Sequence, residues 1–254
     1  MVEGVVDIAR RASVAVVTIA RGKVNAIDMR LLEELGAALD DLEGDDHVRA
    51  VVLTGAGNVF SAGVDLEAVL EGGAPYVERF IARLRDCLER LFAFPKPTVA
   101  AVNGAAVAGG CVLACACDRR LIVDGARIGA TELAVGVPFP AAAVEIIRHA
   151  CGNLAETVVL DSALLDARGA VAMHVVHEVV EAADLLARAT SVASQLGGLE
   201  PVAFRLAKAQ LRRPVVERMR ADASVNDDEA VRAWMSERTA ERIRAQLARL
   251  GPRR

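Results

Sequence analysis

An α/β fold built on a mostly parallel sheet, with a helical region at its C-terminal end, is predicted by three features of this 254-residue sequence. Short β-branched runs alternate with stretches of helical periodicity. Glycine-rich turns join several of those runs to the helix that follows. From about Asp184 onward helical spacing continues and strand-like runs stop. The division expected is a core over residues 1–195 and a helical region over residues 196–254.

The elements follow in order. Val14-Ala15-Val16-Val17-Thr18-Ile19 is a β-branched run and reads as a buried strand. Asp28 can cap the next helix, on which Leu32, Leu35, Leu39 and Leu42 recur at helical spacing. Ala50 to Thr54 is a second buried strand, running into the turn residues Gly55-Ala56-Gly57-Asn58. Residues near 75 to 93 carry Phe80, Leu84, Leu88 and Leu91 on one helical face, and Pro95-Lys96-Pro97 stops them. Thr98 to Val102 is a third strand, followed by Asn103-Gly104 and a glycine-bearing helix start. Leu121-Ile122-Val123 is a fourth, and Val175-Val176 reads as strand.

Composition excludes several classes. The chain is 54% hydrophobic but only 3% aromatic, so alanine, valine and leucine build the core. A net charge of -4, with no basic stripe, argues against nucleic-acid binding. Arg212-Arg213 reads as a solvated face. Cys87, Cys111, Cys115, Cys117 and Cys151 form no metal-binding spacing and read as small buried residues of a reducing compartment. No basic-then-apolar leader opens the sequence and no apolar run is long enough to span a membrane, so a cytoplasmic protein is expected. His174 and His177 lack acidic or cysteine partners and read as packing or surface residues; no metal is expected.

Two loops carry the chemistry. One is Asn58-Val59-Phe60-Ser61-Ala62-Gly63-Val64-Asp65-Leu66. The other runs from Val102-Asn103-Gly104 through Ala108-Gly109-Gly110-Cys111. Each follows a buried strand and precedes a helix, which leaves backbone N–H groups free at the positive end of the helix dipole. Two such turns side by side can donate to one oxygen, as an enolate or tetrahedral oxyanion requires. The same pattern also suits a plain turn or a phosphate site, although neither loop matches the dinucleotide or P-loop pattern.

These segments resemble a known family. Phe60-Ser61-Ala62-Gly63-Val64-Asp65-Leu66 resembles the Phe-x-x-Gly-x-Asp-Leu motif of the crotonase (enoyl-CoA hydratase/isomerase) superfamily. Pro97 to Gly104, continuing through Ala108-Gly109-Gly110, resembles that family's second motif. Arg21-Gly22-Lys23-Val24-Asn25-Ala26-Ile27 resembles a loop that lines its coenzyme A site. The resemblance implies a spiral of ββα units, helical C-terminal trimerisation and an acyl-CoA thioester as substrate. It implies a homotrimer or dimer of trimers, with coenzyme A as part of the substrate and no separate cofactor. Val64 and Gly109 would supply the oxyanion N–H groups. Lys23, Asn25, Ala26, Ala62, Gly63, Asp65, Leu66, Gly110 and Val112 would line the substrate site, with Asp65 also capping the following helix.

The resemblance also bears on the reaction. Hydratases of this family use two glutamates, the first three residues after the oxyanion glycine; here that residue is Val112. The second has a counterpart in Arg127 to Gly136, where Glu132 takes the catalytic place. One glutamate opposite an apolar residue resembles the 3-enoyl-CoA to 2-enoyl-CoA isomerases, whose chemistry needs a single base. Burial beside Val112 and Leu133 would raise the pKa of Glu132. A hydratase, a thioester hydrolase or a non-catalytic acyl-CoA binder are the alternatives. Glu145 and Glu156 read as solvated, or as a second acid; Trp234 and Phe204 read as packing or interface anchors.

Overall fold

The computed structural model describes residues 4–223 and 227–250. The chain is laid down as successive strand–strand–helix units. β1 (Val6–Arg11) and β2 (Val14–Ile19) precede α1 (Met29–Gly44). β3 (Ala50–Gly55) and β4 (Val59–Ser61) precede α2 (Leu66–Ala93), and β5 (Thr98–Val102) and β6 (Ala105–Val107) precede α3 (Gly109–Ala116). β7 (Arg119–Val123) and β8 (Arg127–Gly129) follow, then a 3-10 turn, Glu132–Val135, and α4 (Ala141–Cys151). α5 (Ala155–Leu160), β9 (Leu165–Asp166), α6 (Ala167–Ala172) and β10 (Glu178–Val180) complete the core. α7 (Leu185–Gly197), α8 (Pro201–Asp222), α9 (Asp228–Trp234) and α10 (Glu237–Leu250) end the described chain.

From β3 onward the two strands of a unit go to different sheets. The larger sheet has the order β1-β2-β3-β5-β7-β10, and the smaller has β4-β6-β8-β9. Within the larger sheet all pairs from β2 to β10 are parallel; β1 alone pairs antiparallel to β2. Their near-continuous burial explains the β-branched runs: β3 and β5 are buried at every position. This is the mixed α/β spiral expected from the sequence.

Several expectations need correction. The helix expected directly after Asn103-Gly104 starts only at Gly109, because the short strand β6 intervenes. Val175-Val176 is not a strand; the strand begins at Glu178 and is preceded by a tight turn in which His174 has φ 59°. That left-handed backbone is the reason a glycine would suit position 174. The helix expected near 75–93 is the second part of α2, which is broken at Gly73 (φ 60°, ψ -161°) just before Pro75. Residues 195 and 196 lie inside α7, so a boundary there would cut a helix that packs on β3 and β5.

Arg212 is not a solvated residue. Its guanidinium lies 4.2 Å from the Phe92 ring centroid and pairs with Asp118 at 2.8 Å, while Lys208 meets the other Asp118 oxygen at 2.7 Å. Thr98 donates to the same carboxylate from its backbone and its hydroxyl. α8 is thereby anchored to the start of β5 by a buried two-cation, one-carboxylate cluster. Arg213, the other half of the pair, is exposed. All five cysteines are free and buried, as their small size and apolar surroundings suggested. No described helix is long and apolar enough to cross a membrane.

Candidate active site

Three loops are knitted together before any site is formed. Asn25 is fully buried at φ 51°; its amide donates to Val59 O at 2.7 Å and Ala56 O at 3.0 Å, and its Oδ1 accepts from Arg21 N. Ala62 N donates to Val24 O, and Ser61 Oγ donates to Asn25 O. Asn103 performs the same service opposite, holding Gly55 through two hydrogen bonds. The side chain of Asn25 is thus spent on loop geometry rather than turned toward a ligand. Ala26 is buried beneath the same loop, and Lys23 stands exposed on its outside.

This knitting fixes the direction of one N–H group. Ile27 pairs with Val64 as an isolated parallel bridge: Ile27 N donates to Gly63 O at 2.8 Å, and Asp65 N donates to Ile27 O at 2.9 Å. In a parallel bridge the residue between those two contacts turns its own N–H away. Val64 is that residue. Asp65 then caps α2, accepting from Glu67 N and Ala68 N. Gly63 adopts φ 83°, and a side-chain carbon there would stand 2.7 Å from Val107 O. Glycine is required on both counts.

A second N–H comes from the adjacent loop. Ala108 occupies φ 51°, ψ -123° at the N-cap of α3, a strained conformation for a residue with a side chain. Its own N–H is used by Gly129 O, and its carbonyl accepts from Val112 N. Gly109 is the first helical residue, so its N–H has no partner within the helix. The loops touch: a carbon added to Gly109 would lie 3.7 Å from Gly63 Cα and 3.7 Å from Val64 Cγ2. Gly110 packs directly on Ser61, where any side chain would collide with its carbonyl. Two backbone donors, with a helix dipole behind one of them, therefore border the same space.

That space is a largely apolar cavity of about 200 Å3. Ala62, Val64, Leu66, Gly109, Val112 and Glu132 are among the residues that line it. Glu132 opens the 3-10 turn that Gly136 closes in a left-handed conformation. Its side chain is 8% exposed, and its Oε2 is buried with no hydrogen-bond partner. Loss of hydration pushes its pKa up to about 8. Val112, 1% exposed, contributes to the surrounding apolar wall. Leu133 does not, since it is 39% exposed and points outward.

The remaining candidates lie elsewhere. Glu145 is neither solvated nor in the cavity: it is 1% exposed and its carboxylate is held by Arg148 and by Arg218, the latter at 2.6 Å. Glu156 is exposed. His177 accepts from Arg120 N at 3.1 Å, and His149 packs edge-on against Phe92. Among the described residues no group of three or more metal-ligating side chains exists. Phe204 lines a shallow cleft beside Pro95 and Pro97 instead. Trp234 does reach the cavity, as do Gln246 and Leu247 from α10 and Leu84 and Leu88 from α2. The sequence marked Trp234 as a packing or interface anchor and placed Leu84 and Leu88 on an apolar helical face, and carried no signal for Gln246 and Leu247.

Residues 9–243 match the family model described as enoyl-CoA hydratase/isomerase. The chain belongs to that family. Its fold is the crotonase fold, and members of the family act on acyl-CoA substrates. The human mitochondrial delta3-delta2-enoyl-CoA isomerase superposes with a TM-score of 0.93 at 26% identity, covering 97% of this chain and 98% of its own. A short-chain-enoyl-CoA hydratase of Clostridium acetobutylicum is 32% identical over 207 residues, 80% of this chain and 79% of its own. A Thermus thermophilus relative, 40% identical over 190 residues and covering 74% of this chain and 75% of its own, also carries a hydratase name. The relatives' names thus point to both reactions within one family.

Proposed function

We propose that this enzyme shifts a double bond within an enoyl-CoA, from the 3- to the 2-position, with Glu132 as its single proton carrier. The observation that carries the reading is the lone carboxylate: Glu132 faces an apolar cavity with one oxygen unpartnered, and Val112 stands where a hydratase would need a second glutamate. Hydration requires a water to be oriented and deprotonated while carbon 2 is protonated, and valine offers that water nothing. Isomerisation requires one base to take a proton from carbon 2 and return it at carbon 4. A carboxylate with an unengaged oxygen and a raised pKa suits both halves of that transfer.

The N–H groups of Val64 and Gly109 would receive the thioester oxygen as it gains negative charge. They are backbone groups held by the Ile27–Val64 bridge and by the N-terminus of α3, so they need no reorganisation during the reaction. The adenine end of coenzyme A would rest against Lys23 to Ala26 and Ala62-Gly63. The homotrimer or dimer of trimers implied by the resemblance belongs to the same proposal, and Val202, Leu206 and Leu211 of α8 offer it exposed apolar surface.

Hydratase action is the second reading, favoured by the relatives' names. Following 3-enoyl and 2-enoyl thioesters separately, with Glu132→Gln alongside, tests the choice. Isomerisation by the natural protein and its loss in the variant support the proposal. Rapid hydration of 2-enoyl thioesters without isomerisation would overturn it.

A further inference from the structure

Part of the cavity wall is built by the chain's own C-terminal helices. Trp234 of α9 is 3% exposed, and its indole N–H donates to Pro138 O at 2.9 Å. Thr239, at the start of α10, donates to Gly136 O at 3.3 Å. Asp227 accepts from Ala141 N at the head of α4. These three bonds tie the C-terminal helices to residues 136–141, which directly follow the Glu132 turn. The indole and Leu247, together with Leu84 and Leu88, line the same cavity that Val64 and Gly109 border.

We propose that this wall makes the enzyme selective for medium-length acyl chains, with Trp234 setting the upper limit. The inference rests on the acyl-CoA reading above and extends it to the substrate's length. An apolar protein cavity of about 150 Å3 accommodates a benzene ring, which is roughly 25 Å3 per carbon. At that density a cavity of about 200 Å3 holds about eight carbons. A longer chain must displace the indole, and the indole is held on its edge by Pro138 and packed among buried residues. The apolar lining favours a hydrocarbon chain over one bearing hydroxyl or carboxyl groups, which would lose their hydration there.

The test pairs binding with turnover. Saturated acyl-CoAs with about four to fourteen carbons are titrated by calorimetry, and 3-enoyl-CoAs of the same lengths are assayed for isomerisation. Affinity and kcat/KM should both rise to a maximum near eight carbons and fall by roughly tenfold or more by twelve. Trp234→Ala should move the maximum to longer chains by about four carbons. Leu247→Ala removes part of the same wall from a half-buried position; it should move the maximum in the same direction and serves if the tryptophan variant does not fold. Equal affinity for eight- and fourteen-carbon chains in the natural protein would overturn the length limit. A maximum unmoved in both folded variants would overturn the role of this wall. Absence of isomerisation at every length, with the binding maximum intact, would instead count against the reaction proposed above.

Discussion

Replacing Glu132 with glutamine keeps the shape of the side chain and removes its proton chemistry, and its consequences can be worked from the site. Burial raises the carboxyl from its ordinary 4.5 to about 8. Each unit corresponds to about 1.4 kcal/mol between the two protonation states, so the ionised form is disfavoured by up to about 5 kcal/mol. The folded state therefore holds a proton that the unfolded chain releases above about pH 4.5. Stability from this group is complete below that pH and is lost as pH rises through about 8. Glutamine has no such dependence. In urea denaturation the Glu132→Gln protein should match the natural one near pH 4.5 and exceed it by a few kcal/mol near pH 9. Catalysis runs in the opposite direction, since the base must be ionised. In the natural protein kcat/KM for isomerisation should climb about tenfold per pH unit up to about 8 and then level off. In the variant turnover should fall by about a hundredfold or more, while acyl-CoA binding persists. A flat profile between about pH 6 and pH 9, or a variant turning over at the natural rate, would refute the reasoning.

Three further substitutions probe the surrounding structure. Val112→Glu places a second carboxylate in the apolar wall; it should introduce measurable hydration of 2-enoyl-CoA and lower the melting temperature, and an unchanged hydration rate in a folded protein would remove Val112 as the determinant. Gly63→Ala forces a side chain onto Val107 O at a left-handed backbone position and so displaces Val64 N–H; kcat/KM should drop by up to about a hundredfold, and a natural value would mean that the N–H tolerates movement. Asp118→Ala strands the buried cations of Lys208 and Arg212 and should cost about 3–5 kcal/mol in urea denaturation; a loss below about 1 kcal/mol would show that α8 is held by its apolar contacts alone.

Much of this protein is written locally. The strands containing Val14–Ile19, Ala50–Gly55 and Thr98–Val102 announce themselves through β-branched residues because parallel strands are buried on both faces. The two loops that present Val64 and Gly109 were legible because their glycines answer local demands of backbone direction and close approach. Strands β4, β6 and β8 were not legible; at three residues each they are too short to show a period. Other features depend on residues far apart in the chain, and only the tertiary structure decided them. Arg212 and Glu145 look like surface charges until Asp118, Arg148 and Arg218 are brought against them. Glu132 is marked in the sequence by its place in the family motif, but the neighbours that strip its hydration are set by the fold, which buries Val112 beside the cavity and leaves Leu133 exposed. The cavity draws its walls from positions as distant as Ala62 and Leu247. A backbone turn is set by the few residues that form it, whereas desolvation and cavity shape are sums over every neighbour that packing supplies, and no local pattern records that sum.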